Sequence, residues 1–127
     1  MKKNAVSIVL GLMILSMMSS CFHLHHHDIS ISVSDDEDEY EMEADYRKNQ
    51  SHAVQVYLNN HLLNNSSVSI RNGYVDDEIT LDDKTTFYIN TNPSELSIRI
   101  NKNKNSEESC ERVKQICEEL KQILVDN

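Results

Sequence analysis

The chain has 127 residues, of which 12 are Lys or Arg and 21 are Asp or Glu, so its formal net charge is −9. This length allows one small domain with a modest hydrophobic core. An acidic chain without clustered Lys and Arg lacks the usual means of binding phosphate backbones and is repelled by anionic headgroups, so the composition argues against binding nucleic acid or lying flat on anionic lipid.

The beginning of the chain has the order of a secretory signal. Lys2 and Lys3 form a basic start, residues 5–18 form an apolar run, and Ser19 and Ser20 are small. A helix needs about twenty apolar residues to cross a bilayer, and this run is shorter. The segment therefore predicts export and does not predict an ordinary membrane span.

The tetrapeptide Met18-Ser19-Ser20-Cys21 resembles the lipobox of bacterial lipoproteins, whose common pattern is Leu, then Ala or Ser, then Gly or Ala, then Cys. The resemblance covers these four positions; Met18 replaces the usual Leu, and Ser20 replaces the usual Gly or Ala. It implies cleavage before Cys21 and acylation of the Cys21 sulfur and amino group. Two alternatives stay open: a plain secretory signal whose Cys21 begins a soluble protein, and an uncleaved apolar anchor.

The resemblance to lipoproteins also implies an organisation and a location. The chain divides into a signal peptide at residues 1–20, a His-rich tether at residues 21–27 and a small domain at residues 28–127. The protein is expected to bind a membrane of the bacterial cell envelope through its lipid anchor. Phe22 follows the lipidated Cys as in lipoproteins sent to the outer membrane, whereas the inner-membrane retention signal of enteric bacteria uses Asp there. The expected location is the outer membrane.

A histidine cluster follows the lipobox. Its members, four within five positions, are His23, His25, His26 and His27. Imidazole nitrogens are good ligands for Zn, Cu or Ni ions. Two interpretations stay open: a metal site formed by these four residues with Asp28, or a solvated tether that binds Zn or Cu adventitiously because a flexible leader cannot fix ligand geometry.

Residues 28–34 and 39–46 alternate apolar and polar side chains, which predicts a β-hairpin with one buried face. The acidic row of the second strand, Glu39, Glu41 and Glu43, is predicted to lie on the outer face. Solvation, recognition of a basic protein partner and Ca²⁺ binding could each explain this row. An EF-hand loop needs a Gly that the run lacks, which disfavours Ca²⁺ binding, and the spacing of the carboxylates fits solvation best.

The middle of the chain predicts one helix and a meander. Residues 51–63 place apolar side chains at helical spacing, and Asn49 or Ser51 is predicted to cap the helix. The dipeptide Asn72-Gly73 predicts a tight turn. Three short runs rich in Thr, Ile, Leu and aromatic residues, at 78–81, 85–91 and 95–101, predict a three-stranded meander.

The last segment predicts the clearest helix, with Asn105 or Ser106 as its cap. Its apolar seam consists of Cys110, Val113, Cys117, Leu120 and Leu124. Cys110 and Cys117 would lie about 10.5 Å apart along the helix axis, too far for a disulfide, and are predicted to be buried core thiols. The predicted fold is α+β, in the order ββαβββα, with an antiparallel sheet of five to six strands and two helices packed on one face.

No Gly-rich phosphate loop, nucleophile elbow or ordered metal motif is recognisable in the sequence, so neither an enzyme nor a cofactor is predicted beyond the covalent lipid on Cys21 and adventitious Zn or Cu. The predicted function is that of a non-enzymatic envelope lipoprotein whose acidic domain binds an envelope protein. The alternative is a metal-binding lipoprotein that uses the histidine cluster. The sequence leaves the oligomeric state open.

Overall fold

The structure is a computed structural model that describes the backbone of residues 21–26 and the backbone and side chains of residues 29–126. In chain order its elements are β1 (Cys21–His26), β2 (Ile29–Asp35), β3 (Glu39–Asp45), α1 (Ser51–His61), β4 (Val75–Thr80), β5 (Thr86–Asn92), β6 (Glu95–Asn101) and α2 (Glu107–Asp126). A short 3-10 helix, Lys48–Gln50, leads into α1.

The strands form one sheet in the order β1-β2-β3-β6-β5-β4, and all neighbours are antiparallel. The chain builds β1, β2 and β3 side by side, leaves the sheet for α1, and returns at the far edge with β4. β5 and β6 then fill the space between. β6 pairs with β3 at the centre of the sheet, and the α+β prediction with two helices is confirmed.

One face of the sheet and the apolar stripes of both helices form a single core. The sheet contributes alternate residues of its strands, including Ile31, Met42, Ile89, Ile98 and Ile100, all fully buried. The predicted seam of α2 is buried, and α2 contacts β2, β3 and β6. The buried residues recur every second position in the strands and every 3.6 positions in the helices. Burying both sets against each other fixes the sheet register and the orientation of the helices.

The two helices begin in different ways. Ser106 caps α2, as predicted: its side-chain oxygen accepts from the Ser109 N–H at 3.0 Å. The predicted side-chain caps of α1 are wrong, because its first turn continues the preceding 3-10 helix and no side chain caps it. Instead, buried Gln50 accepts from the Arg47 N–H at 3.3 Å and donates to the Leu124 carbonyl at 3.0 Å. Gln50 thereby joins the start of α1 to the end of α2.

β1 lies within the segment that the sequence predicted as a tether. Its six residues pair with β2 as an edge strand, with Cys21 opposite Ser34 and His26 opposite Ile29. Pairing satisfies the outer N–H and C=O groups of β2, which an unpaired edge would leave to water. Residues 21–26 therefore form a strand in the structure and not a tether, whereas His27 and Asp28 lie outside the described residues.

A three-way ion pair ties the sheet to α2. The Asp35 carboxylate contacts Lys102 Nζ, and its other oxygen lies 2.9 Å from Lys114 Nζ. Burial raises the pKa of Asp35, but hydrogen bonds from Lys102 and Lys114 outweigh burial and hold the pKa below its usual value. The carboxylate is therefore charged at neutral pH and links the end of β2 to α2.

The Asn72-Gly73 turn is confirmed, since both residues have positive φ, 59° and 82°. A Cβ on Gly73 would lie 3.3 Å from Pro93 Cγ. In addition, the backbone at this position is in the left-handed region, which L-residues with a side chain rarely adopt. We expect Gly73→Ala to lower the free energy of unfolding by about 1–2 kcal/mol. Urea unfolding measures this, with Asn72→Gly as the control, for which a loss below about 0.5 kcal/mol is expected. Equal stability of Gly73→Ala and wild type would contradict the turn geometry.

Candidate functional site

The sheet face opposite the helices, called here the open face, is polar over every strand whose side chains are described. Its residues are Ser30, Ser32 and Ser34 on β2; Glu39, Glu41, Glu43 and Asp45 on β3; Glu95, Ser97, Arg99 and Asn101 on β6; Thr86, Tyr88, Asn90 and Asn92 on β5; and Asp76, Glu78 and Thr80 on β4. They are the partly or fully exposed partners of the alternating core residues.

Negative charge dominates the open face. It carries seven carboxylates, on Glu39, Glu41, Glu43, Asp45, Asp76, Glu78 and Glu95, and Arg99 is its one cation on the strands β2 to β6. The predicted acidic row of β3 therefore lies on the side away from the helices, as expected. Pairing of β3 with β6, and of β4 with β5, adds three carboxylates that the sequence analysis did not connect with this row.

Glu41 lies at the centre of the β3 row. Alternate residues of a strand are about 6.8 Å apart, so Glu39 and Glu43 are its charged neighbours. Burial raises the pKa of Glu41, the charge of Glu43 adds to this, and Arg99 opposes it, with 3.7 Å between Arg99 Nε and a Glu41 carboxylate oxygen. The net upward direction means that a negative charge at this position is incompletely compensated.

Arg99 is held in place by an aromatic neighbour. Its guanidinium carbon lies 4.5 Å from the centre of the Tyr88 ring, which is a favourable cation–π arrangement. The Tyr88 hydroxyl in turn donates to the Asp76 carboxylate and accepts from the Asn90 side-chain amide at 3.2 Å. These contacts cross β6, β5 and β4, so sequence spacing gave no signal for them.

Glu95 faces Asp45 across the β3–β6 pair. Burial raises the pKa of Asp45, and the Glu95 carboxyl beside it raises the pKa further. The Asn92 side-chain amide donates to Glu95 Oε1 at 2.9 Å. This end of the open face therefore concentrates like charges that no described Lys or Arg offsets by an ion pair.

Two concavities open on this face. The larger, of about 490 Å³, has Ser30, Ser32, Glu43, Asp45 and Asn92 among its lining residues. The smaller, of about 270 Å³, is lined by eight residues: Glu39, Glu78, Thr86, Phe87, Tyr88, Arg99, Asn101 and Lys104. Short serine side chains beside long carboxylates produce the larger depression, and its walls are mainly polar.

Cys21 and the histidine cluster are placed only by the backbone of β1. In the register of the sheet, Cys21 is opposite Ser34, His23 is opposite Ser32, and His25 is opposite Ser30. His26 is opposite Ile29, in the alternate set of positions, and His27 lies outside the described residues. The strand thus places His23 and His25 in one set of alternate positions and His26 in the other. Among the side chains of residues 29–126, no three His, Cys, Asp or Glu form a metal-binding group.

The remaining two cysteines lie away from the open face, in the core. Cys110 and Cys117 are free thiols and are buried, which confirms the prediction for both. Burial raises the pKa of Cys117 to about 12, so this thiol is protonated at neutral pH and a poor nucleophile. The two residues serve as small core side chains.

Within residues 21–26 and 29–126, no helix combines the length and apolar character that a bilayer crossing requires. No protein-family model matches the chain, and no curated protein or solved structure matches it.

Proposed function

We propose that the protein is a lipid-anchored, non-enzymatic protein of a bacterial cell envelope, and that its open face binds a basic protein partner. The observation that carries the binding proposal is the accumulation of seven carboxylates against one Arg on strands β2 to β6 of a single sheet face. The anchor is supported by the lipobox resemblance of Met18-Ser19-Ser20-Cys21. Phe22 favours the outer membrane as its location.

Cleavage before Cys21 would make the acylated residue the first residue of β1. Each buried methylene contributes about 0.8 kcal/mol, so one acyl chain holds a protein marginally and two or more hold it stably. Because β1 is paired with β2 from Cys21 onward, little free chain would separate the lipid from the sheet. The domain would then lie close to the membrane surface, with its open face available from the side.

Charge arrangement favours a protein partner over simple solvation. A solvated face needs no particular distribution of charges, yet here the carboxylates are concentrated on one face whose single Arg is already engaged by Tyr88 and Glu41. Burial, and after it the neighbouring carboxylates Glu43 and Glu95, raise the pKa values of Glu41 and Asp45, and positive groups of a partner would favour the charged form of both. Such a face accelerates encounter with basic surfaces and selects against acidic ones.

Neutralising the β3 row should weaken partner binding. The triple variant Glu39→Gln, Glu41→Gln, Glu43→Gln removes three charges while keeping side-chain size. An exposed charge pair contributes about 0.2–1 kcal/mol, so three lost pairs should lower affinity by about tenfold. The measurement is capture of partners from envelope extracts by the detergent-solubilised full chain, followed by titration of the captured partner at low and high salt.

The matched control is Glu107→Gln, Glu108→Gln, Glu118→Gln, which makes the same change in net charge at exposed positions of α2. We expect this control to bind like wild type and all three proteins to melt at similar temperatures. Equal binding by the β3 variant and wild type, or equal losses in both variants, would refute recognition by the open face.

A further inference from the structure

We propose that the edge strand β4 binds a partner by strand addition. In this mode an extended segment with Lys or Arg at alternate positions pairs with the outer edge of β4 and lengthens the six-stranded sheet by one strand. The inference rests on the proposed function, because it states how the basic protein partner of the open face is held.

The hydrogen-bond pattern at the end of β4 shows which of its backbone groups point outward. Just beyond the strand, the Leu81 N–H donates to the Thr85 carbonyl at 2.8 Å, so Leu81 points toward β5. Successive residues of a strand direct their N–H and C=O groups to opposite sides. By this alternation Asp76, Glu78 and Thr80 direct their backbone groups away from β5, toward the outer edge of the sheet.

Contacts of neighbouring residues agree with this assignment. Thr86, which is opposite Thr80, donates its N–H to Asn105 Oδ1 at 2.8 Å and accepts from Asn105 Nδ2 at 2.9 Å, so its backbone points away from β4. The side-chain hydroxyls of Thr80 and Thr86 are 3.0 Å apart, as expected for a pair without mutual backbone hydrogen bonds. The Glu78 N–H is bonded by the adjacent side chain, Asp77 Oδ1, at 2.8 Å.

No described segment covers this edge. Within residues 21–26 and 29–126, β5 is the one strand beside β4, and no backbone group bonds to the outward groups of Asp76, Glu78 and Thr80. Asp77 lies on the side of the sheet that carries the helices, yet it is exposed. Tyr74, directly before the strand, is 67% exposed, and an exposed aromatic side chain is a common anchor in interfaces. A further strand can therefore approach without displacing another element.

The charge of β4 selects the occupant. The strand contains Asp76, Asp77 and Glu78 and no Lys or Arg. Residues directly opposite each other in a strand pair share a face, so cations at alternate positions of an added strand would lie beside Asp76 and Glu78 on the open face. A second copy pairing through β4 would instead bring carboxylates together. The acidic edge thus disfavours copies of the chain and favours a basic strand.

The test titrates the full chain, purified in detergent, with a labelled synthetic peptide of alternating Lys and Thr with blocked termini. A matched peptide carries a methyl group on the backbone nitrogen of every Lys. In the proposed pairing those N–H groups point to β4, so methylation removes the hydrogen bonds and keeps every charge. Fluorescence anisotropy measures both affinities, and ultracentrifugation measures the oligomeric state of the chain.

Two variants separate backbone pairing from charge. Glu78→Pro removes an outward N–H together with one charge and leaves the bonds between β4 and β5 intact, because Pro is tolerated on the outer side of an edge strand. Glu78→Gln removes the same charge and keeps the N–H. Circular dichroism checks that both variants are folded, and the methylated peptide provides the comparison on the unaltered chain.

We expect saturable binding of the unmethylated peptide, with an affinity about tenfold lower for the methylated peptide and for Glu78→Pro. Glu78→Gln should lose less than about fivefold, as for one exposed charge pair.

Three results would overturn strand addition. They are equal affinities of the two peptides, no saturable binding of the unmethylated peptide, and a dimer of the wild-type chain that Glu78→Pro dissociates. Equal affinities of the two peptides, together with a loss in the β3 triple variant, would refute the edge and leave recognition by the open face standing. Failure of that function is read separately, from capture of the envelope partner by the β3 variant.

Discussion

Replacing Cys21 by Ser is expected to abolish incorporation of fatty acid into the protein. The Cys21 thiol is the group that the lipobox resemblance assigns to acylation, and a hydroxyl cannot form the same thioether. Cells supplied with labelled palmitate should therefore label the wild-type protein and leave Cys21→Ser unlabelled. Because at least two acyl chains are needed for stable anchoring, the variant should also leave the detergent-rich phase in a detergent phase separation.

Cys110→Ala and Cys117→Ala are the matched controls, since both remove a thiol that is buried in the core. Both controls should retain full labelling, although each is expected to lose some stability because it removes buried atoms. Persistent labelling of Cys21→Ser would show that lipid is attached elsewhere. Loss of label in either control would mean that folding, and not the acylation site, determines the result.

The second large effect is expected in the core beneath the sheet. Leu120 is fully buried in the seam of α2, and Leu→Ala substitutions at such positions cost about 2–5 kcal/mol through lost burial and the remaining cavity. A domain of this size is typically stable by about 5–15 kcal/mol, so Leu120→Ala should remove a large part of its stability. Urea unfolding followed by circular dichroism measures the loss.

Gln122→Ala serves as the control for Leu120→Ala, because Gln122 lies two residues further along α2 and is exposed. It should change the unfolding free energy by less than about 0.5 kcal/mol. A loss below about 1 kcal/mol for Leu120→Ala would mean that α2 does not cover the sheet. In that case both faces of the sheet would be accessible to solvent, and the open face would no longer be distinguished as the one that the helices leave uncovered.

Local patterns in the sequence predicted most of the elements. The period-two alternation around Ile31 and Met42 gave the first hairpin, and the three-and-four spacing from Cys110 to Leu124 gave α2. Both patterns arise because a strand or helix with one buried side must repeat its apolar residues at the period of its own geometry. The Asn72-Gly73 turn was predictable for a related reason, since both residues tolerate positive φ.

Features that depend on distant parts of the chain were not predictable. The start of α1 has no side-chain cap, and Gln50 there donates instead to the carbonyl of Leu124, 74 residues further along the chain. β1 was missed because its histidines resemble a polar leader, whereas its partner β2 is what makes it a strand.

The candidate site shows the same division. The acidic row at Glu39, Glu41 and Glu43 was visible in the sequence, but its surroundings were not. Pairing with β6 brings Arg99 to Glu41 and Glu95 to Asp45, and pairing with β5 adds Tyr88. Which charges share a face depends on strand order, and strand order is a property of the whole fold.

The most direct test of the anchored protein is the intact mass of material purified from membranes. We expect a mass equal to the chain from Cys21 to Asn127 plus a diacylglyceryl group and an amide-linked acyl chain, with fragments placing both on Cys21. A chain that still begins at Met1, or a Cys21 with an unmodified sulfur and a free amino group, would contradict the proposal.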